Sequence, residues 1–306
     1  MRSPLIPEFH RRFPEWSFDS ADKVIGDRVT ALRCVKSEVE IWKDRIGLLN
    51  LSRIGDPRDN VYRLRFGDQI AVDILLDDKT LIEIAVAPDL PLSTREHFLV
   101  DQVLPRMLAH DGRLVLHASA VRVDDKSLVM LGKSGSGKST LCTSLNQAGH
   151  GLIGDDAMVV SSVSAKPYVA AVYPSLRLLP DSISQFFPAT VATTAVAHYT
   201  DKQRVRLPSP AQGEELPVGV RAIFVIDGSP DTGEVETRPL SVAATCMALI
   251  ENSFMLDPTD VGRVRNRLAT ASDLARQVPS FALRYPRDYS RLGEVREAIL
   301  NAIRGS

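Results

Sequence analysis

SLVMLGKSGSGKSTLCTSLNQAGHGLIGDD, residues 127–156, is the stretch whose reading decides the fold. Within it Gly132, Lys133, Ser134, Gly135, Ser136, Gly137, Lys138 and Ser139 match G-x-x-x-x-G-K-[ST], the spacing of a loop that wraps phosphate. The glycines let backbone N–H groups curl around phosphate oxygens with no Cβ in the way. Lys138 has the reach to neutralise β- and γ-phosphates, and the Ser139 hydroxyl suits Mg²⁺. From Ser139 and Thr140 onward a helix is expected, its positive N-terminus facing the same anion. These residues set the expected cofactors, ATP and Mg²⁺.

The flanks agree with the loop. Residues 127–131 are an apolar run, read as a buried strand. Leu141 and Leu145 share a helical face, and Gly149 is a natural stop for that helix. Leu152-Ile153-Gly154 then leads straight to Asp155-Asp156. A short strand here returns two carboxylates to the phosphate site. One can hold Mg²⁺, through water or directly, and the other can accept a hydroxyl proton. A solvated Asp-Asp turn is the alternative.

The stretch LHASAVRVDDKSLVMLGKSGSGKSTLCTSLNQAGHGLIGDDAMVV resembles the catalytic core of the HPr kinase/phosphorylase-related family, of the PEP-carboxykinase-like group of phosphate-loop proteins. In that family a histidine precedes the two strands that lead into the loop, and His117 stands there. The family's Gly-His followed by an acidic pair corresponds to Gly149-His150 and Asp155-Asp156. The specific similarity covers about residues 112–180. It implies an α/β fold: a PEP-carboxykinase-like kinase core with a mixed sheet over 111–306, plus a smaller N-terminal α+β subdomain over 1–110. It also implies ATP-dependent transfer to a hydroxyl, with a serine of a protein or peptide as the precedent, and self-association into a homo-oligomer. The chain departs from the family in lacking a recognisable longer Glu- and Arg-containing, glycine-rich signature around residues 174–181, so the phosphorylase direction and HPr as substrate are not carried over.

On this resemblance Asp155 is expected to take the acceptor proton, with His117 tuning it, while Ser139 and Asp156 hold Mg²⁺. A hydrogen-bonded core residue is the other reading of His117. Arg177, in PSLRLLPD, is expected to neutralise phosphoryl charge; a structural ion pair is the other reading. A nucleotide-hydrolysing regulatory protein and a small-molecule kinase remain alternatives. No N-K-x-D or LSGGQ-like element points to a GTPase or a transport ATPase.

Elsewhere the sequence bounds more than it specifies. A hydrophobic content of 44% with 25% charged residues is ordinary for a soluble globular chain. A net charge of −1 provides no global field for nucleic acid or an anionic membrane. Cys34, Cys142 and Cys246 are far apart, which fits a reducing cytoplasm. No apolar run is long enough to span a bilayer, and the Pro- and Arg-containing start lacks a signal-peptide core. The His10-Arg11-Arg12 cluster is read as a solvated arm, and Trp16 and Trp42 as packing anchors.

Tyr62, Leu64 and Phe66, then Ile70, Val72 and Ile74, alternate as strands of an antiparallel meander. Ser93 and Glu96 form a capping-box pattern opening a helix to about His110, with a kink or break at Pro105. Residues 186–217 read as mobile, with Lys202, Arg204 and Arg206 as either a lid or an exposed strand edge. A helix carrying Met247, Ile250 and Phe254 follows, and Asp257-Pro258 is expected to start another.

Overall fold

The structure, a computed structural model, describes residues 17–20, 35–43, 48–54, 60–77, 79–173, 176–205, 217–227 and 233–304. The His10-Arg11-Arg12 arm, Trp16, Arg206 and the Trp42 side chain lie outside what is described. Two compact units are present. One comprises Met1–Asp111, Val196–Thr200 and Met255–Asp260; the other comprises Gly112–Ala195, Asp201–Phe254 and Val261–Ser306.

The first unit carries a six-stranded sheet made of β1 (Ser17–Ser20), β2 (Val35–Lys43), β3 (Leu48–Ile54), β4 (Val61–Phe66), β5 (Ile70–Leu75) and β6 (Thr80–Val86). Their order is β1-β6-β5-β4-β3-β2, antiparallel except for the β1–β6 pair. Tyr62, Leu64 and Phe66 are buried, as their alternation predicts. In β5 the alternation fails, because Ala71 and Asp73 are buried along with Ile70, Val72 and Ile74. The second face is tolerable because Asp73 sits opposite Arg63 and accepts two hydrogen bonds from it, at 2.6 and 2.8 Å.

The predicted helix is present but built differently at both points singled out. It runs as α1 (Leu92–His97), a π-helical stretch Phe98–Val103, and α2 (Leu104–His110). Its N-cap is Pro91 and makes no side-chain capping bond, so Ser93 lies inside the first turn. Pro105 falls in the first turn of α2. Proline has no N–H to donate and its ring crowds the carbonyl one turn back, and the widened turn immediately before it relieves both.

The chain continues through β7 (Leu114–Leu116), β8 (Ser119–Val123), β9 (Lys126–Leu131), α3 (Lys138–Gln147), β10 (Gly151–Gly154), β11 (Met158–Val163), β12 (Lys166–Ala171), β13 (Leu176–Leu178) and α4 (Pro180–Phe186). Then come β14 (Thr193–Ala197), β15 (Thr200–Val205), β16 (Val218–Ile226), β17 (Glu236–Pro239), α5 (Val242–Glu251), α6 (Val261–Gln277), β18 (Ser280–Arg284) and α7 (Leu292–Arg304). The main sheet runs β10-β8-β9-β16-β12-β11-β7, with β18 beside β16 and β17 beside β18. β9 and β18 lie parallel to β16 while β8 and β12 pair antiparallel, so the sheet is mixed.

Helices cover both faces of this sheet, which explains why residues 127–131 are apolar without alternation. Leu128 and Met130 join Leu141, Leu145, Val295 and Ile299 on one side. Val129 and Leu131 join Leu249, Ala271 and Leu274 on the other. β13 and β14 flank β15 in a separate three-stranded sheet. Within the segment read as mobile, residues 193–197 and 200–205 are strands, and Lys202 and Arg204 lie on a central strand rather than an edge.

Two further expectations are corrected. Helix α5 ends at Glu251, leaving Phe254 beyond it and Met247 exposed. Its successor starts at Val261, because the Asp257 carboxylate accepts from the Thr259 N–H at 2.8 Å and closes a turn before the helix. Among the described residues no helix is long and apolar enough to cross a membrane.

Candidate active site

Strand β9, the glycine loop and α3 follow one another in the predicted order. Gly149 closes α3 with φ +98°, the Gly149 N–H reaching the Asn146 carbonyl and the His150 N–H the Leu145 carbonyl. Two loop glycines cannot be replaced without cost. Gly132 has φ +146°, and a Cβ there would lie 2.8 Å from Ser136 Oγ and 3.0 Å from the Ile226 carbonyl oxygen. Gly137 has φ +103°, and its Cβ would lie 2.5 Å from Tyr285 Oη. Gly137→Ala is therefore expected to cost about 1–3 kcal/mol of stability and to misplace the loop. Thermal unfolding together with ATP titration checks this: an unchanged Tm and unchanged ATP affinity would contradict it.

Inside the loop the polar groups fit a polyphosphate. Ser136 is buried and its Oγ has no hydrogen-bond partner, which an anion's oxygen would supply. Lys138 is 4% exposed and its ammonium donates to the carbonyls of Gly132 at 2.7 Å and Lys133 at 3.2 Å. Burial pushes its pKa down, against the pull of Asp156 and Asp155. Lys133, Ser134 and Gly135 form the exposed crown of the loop. Thr140 turns its hydroxyl to Ser182 of α4, 3.2 Å away, and Ser182 in turn lies 2.9 Å from the Tyr289 hydroxyl.

β10 delivers both acids to this loop, but to different neighbours. Asp155 is fully buried. Its Oδ1 accepts from the hydroxyls of Ser119 and, at 2.9 Å, Ser139; its Oδ2 accepts from the Arg177 N–H at 3.1 Å. Asp156 has φ +69°, which turns its side chain another way. Its Oδ2 pairs with Arg177 Nη1, and its Oδ1 lies 3.4 Å from His117 Nε2. Burial, then the charge of Asp156, raises the Asp155 pKa. Burial acts in the same direction on Asp156, but Arg177 and the His117 hydrogen bond outweigh it and hold that carboxyl well below the usual range.

His117 stands just past β7 and is 35% exposed, so it is not a core histidine. Its backbone N–H donates to the Asn252 carbonyl at 2.6 Å, and its ring lies 6.1 Å from that of Phe254. Arg177 is 1% exposed. It donates from Nη2 to the Tyr173 hydroxyl at 2.8 Å and stacks over that ring, 4.9 Å from its centroid.

Sequence reasoning missed Ser119, Tyr173, Asn252 and Tyr285. The period-two spacing in His117-Ala118-Ser119 was a signal for Ser119. Asn252 had none: its Oδ1 accepts from the Gly132 N–H at 3.2 Å from far along the chain. Among the described residues no group of three or more His, Cys, Asp or Glu could hold a metal by itself. Ser139 and Asp155 offer adjacent hard oxygens, a partial set of the kind Mg²⁺ completes with phosphate and water.

No family model matches the chain. Among curated proteins it is 30% identical over 107 residues to an HPr kinase/phosphorylase of Mycoplasma mycoides, covering 33% of this chain and 34% of that one. It is 32% identical over 101 residues to an HPr kinase/phosphorylase of Chlorobium phaeobacteroides, covering 31% of this chain and 29% of that one. The chain thus spans about a third of the length of the curated relatives it matches. A solved structure, the Hpr(Ser) kinase/phosphatase from Coxiella burnetii, aligns with 61% of this chain and 95% of its own at 12% identity and a TM-score of 0.32. Over about a third of its length, then, the chain is similar to curated HPr kinase/phosphorylases.

Proposed function

We propose that the protein is an ATP-dependent kinase that moves the γ-phosphoryl group to a hydroxyl, with a serine of a protein or peptide as the acceptor class. One observation carries this. The loop serine, Ser139, is hydrogen-bonded to Asp155 while the adjacent Asp156 turns toward His117. A metal-side carboxylate and an acceptor-side carboxylate are thereby separated within one site.

The division of labour we propose reverses the one expected from sequence. Asp155 and Ser139 supply the protein oxygens for Mg²⁺. Asp156 accepts the hydrogen bond of the incoming hydroxyl and takes its proton. When bound, Mg²⁺ neutralises and aligns the β- and γ-phosphoryl oxygens. Lys138 leaves the Gly132 and Lys133 carbonyls for phosphate oxygen, and the Ser136 hydroxyl gains its partner. Asp156 is ionised at neutral pH, as an acceptor must be, and its weak basicity suits a loose transfer in which the proton moves late. His117 and Arg177 fix its two oxygens, and Ser119 fixes Asp155.

Ser119→Ala is expected to weaken Mg²⁺-dependent ATP binding about tenfold, since one of the three bonds holding Asp155 is lost. ATP titration at varied Mg²⁺ checks it, and unchanged Mg²⁺ dependence would remove Ser119 from the site. The function itself is tested by adding the protein and a γ-thio ATP analogue to a lysate and identifying thiophosphorylated species by mass spectrometry. A labelled serine in one protein, absent without the added kinase, is expected. Thiophosphate release with nothing labelled would contradict it.

A further inference from the structure

Two terminal nitrogens of Arg177 are committed, one to Asp156 and one to the Tyr173 hydroxyl, and its guanidinium is stacked and buried. A cation held this way positions a carboxylate and is poorly placed to follow a moving phosphoryl group. Lys138 reaches the phosphates from the loop side only. A loose transition state spreads charge over three equatorial oxygens, which calls for a cation on the far side as well.

The small sheet supplies one. Arg177 on β13 pairs with Arg204 on β15 in antiparallel register, so both side chains leave the same face. Side chains alternate along a strand, which puts Lys202 on that face too, as the diagonal neighbour of Arg177. That face looks onto the acid pair, because Arg177 reaches Asp156 from it. Lys202 is only partly buried, as a side chain that must meet a ligand has to be. Its positive charge also acts on Lys138, Asp155 and Asp156, so it lies within electrostatic reach of all three.

We propose that Lys202 is the cation that contacts the transferred phosphoryl group opposite Lys138, and that Arg177 is a positioning residue for Asp156. Lys202 rests on the kinase proposal for its acceptor but not for its chemistry. A cation at that position would also accelerate loss of the γ-phosphoryl group to water. The two claims can therefore fail separately.

The test uses the full chain with Mg·ATP and measures total γ-phosphoryl loss, to acceptor and to water, beside ATP affinity by titration. Lys202→Ala is expected to lower the turnover number about 100-fold while ATP affinity changes less than about threefold. Lys202→Arg, which keeps the charge, should recover at least about tenfold of that loss. A Lys202→Ala protein with wild-type turnover, or one whose loss is matched by its loss of ATP affinity, would overturn the assignment. So would failure of arginine to recover any activity in a protein of unchanged Tm. If the wild type releases phosphate to water alone, the kinase proposal fails while Lys202 is still tested by the release rate. A wild type inert to ATP overturns both.

Discussion

Lys138→Met is expected to abolish phosphoryl transfer, lowering kcat/KM for Mg·ATP by about 10³-fold or more. The ammonium is the cation nearest the loop's interior, and it is held there dry, donating to two loop carbonyls. Desolvation makes its interaction with a polyphosphate stronger than any surface pair. Methionine keeps the stem packed, so the effect should not be one of folding. Removing the ammonium does strand the Gly132 and Lys133 carbonyls, at about 1–3 kcal/mol. Thermal unfolding measured alongside turnover separates the two effects. A folded Lys138→Met protein with near-normal transfer would take the loop out of the chemistry.

Asp156→Asn is expected to lower kcat by about 10²–10⁴-fold, the range for a lost acid–base group, with Mg·ATP affinity nearly unchanged. Asparagine is nearly isosteric; its one oxygen can accept from Arg177 while its NH2 faces His117 Nε2, which can accept in one tautomer, so the architecture survives. What it cannot do is take a proton. Rapid-quench measurement of a single turnover isolates this step from product release. If the burst rate is unaltered, Asp156 is not the group that receives the hydroxyl proton.

The two acids show how far sequence could go. Their arrival at the loop was legible, because Gly151–Gly154 had to return from α3 to the sheet edge beside β8. Their roles were not. Adjacent identical residues carry no sign of which way each turns, and here the left-handed backbone at Asp156 sends the pair apart. Asp155 goes to Ser139 and Ser119, and Asp156 to Arg177 and His117. Arg177 itself could be read as either a phosphate ligand or an ion-pair partner, and the structure pairs it with Asp156.

The fold divides along similar lines. β9 and α3 were legible because burial on both sheet faces leaves an unbroken apolar run at 127–131, and Gly149 signalled a stop. α1 and α5 were misjudged where tertiary contacts outweigh local pattern: Pro91 begins a helix with no side-chain cap, and the Asn252–Phe254 segment leaves α5 to bond along β7. Lys202 and Arg204 could not be assigned to an edge or a centre without knowing that β13 and β14 arrive on either side.

The most direct test of the account is calorimetric titration of ATP into Asp155→Asn and Asp156→Asn proteins, with and without Mg²⁺. If Asp155 faces the metal, its variant loses the Mg²⁺-dependent gain in ATP affinity, and the Asp156 variant retains it. The reverse pattern, or a gain that both variants keep, would contradict a site in which the Ser139–Asp155 pair holds the metal and Asp156 receives the proton.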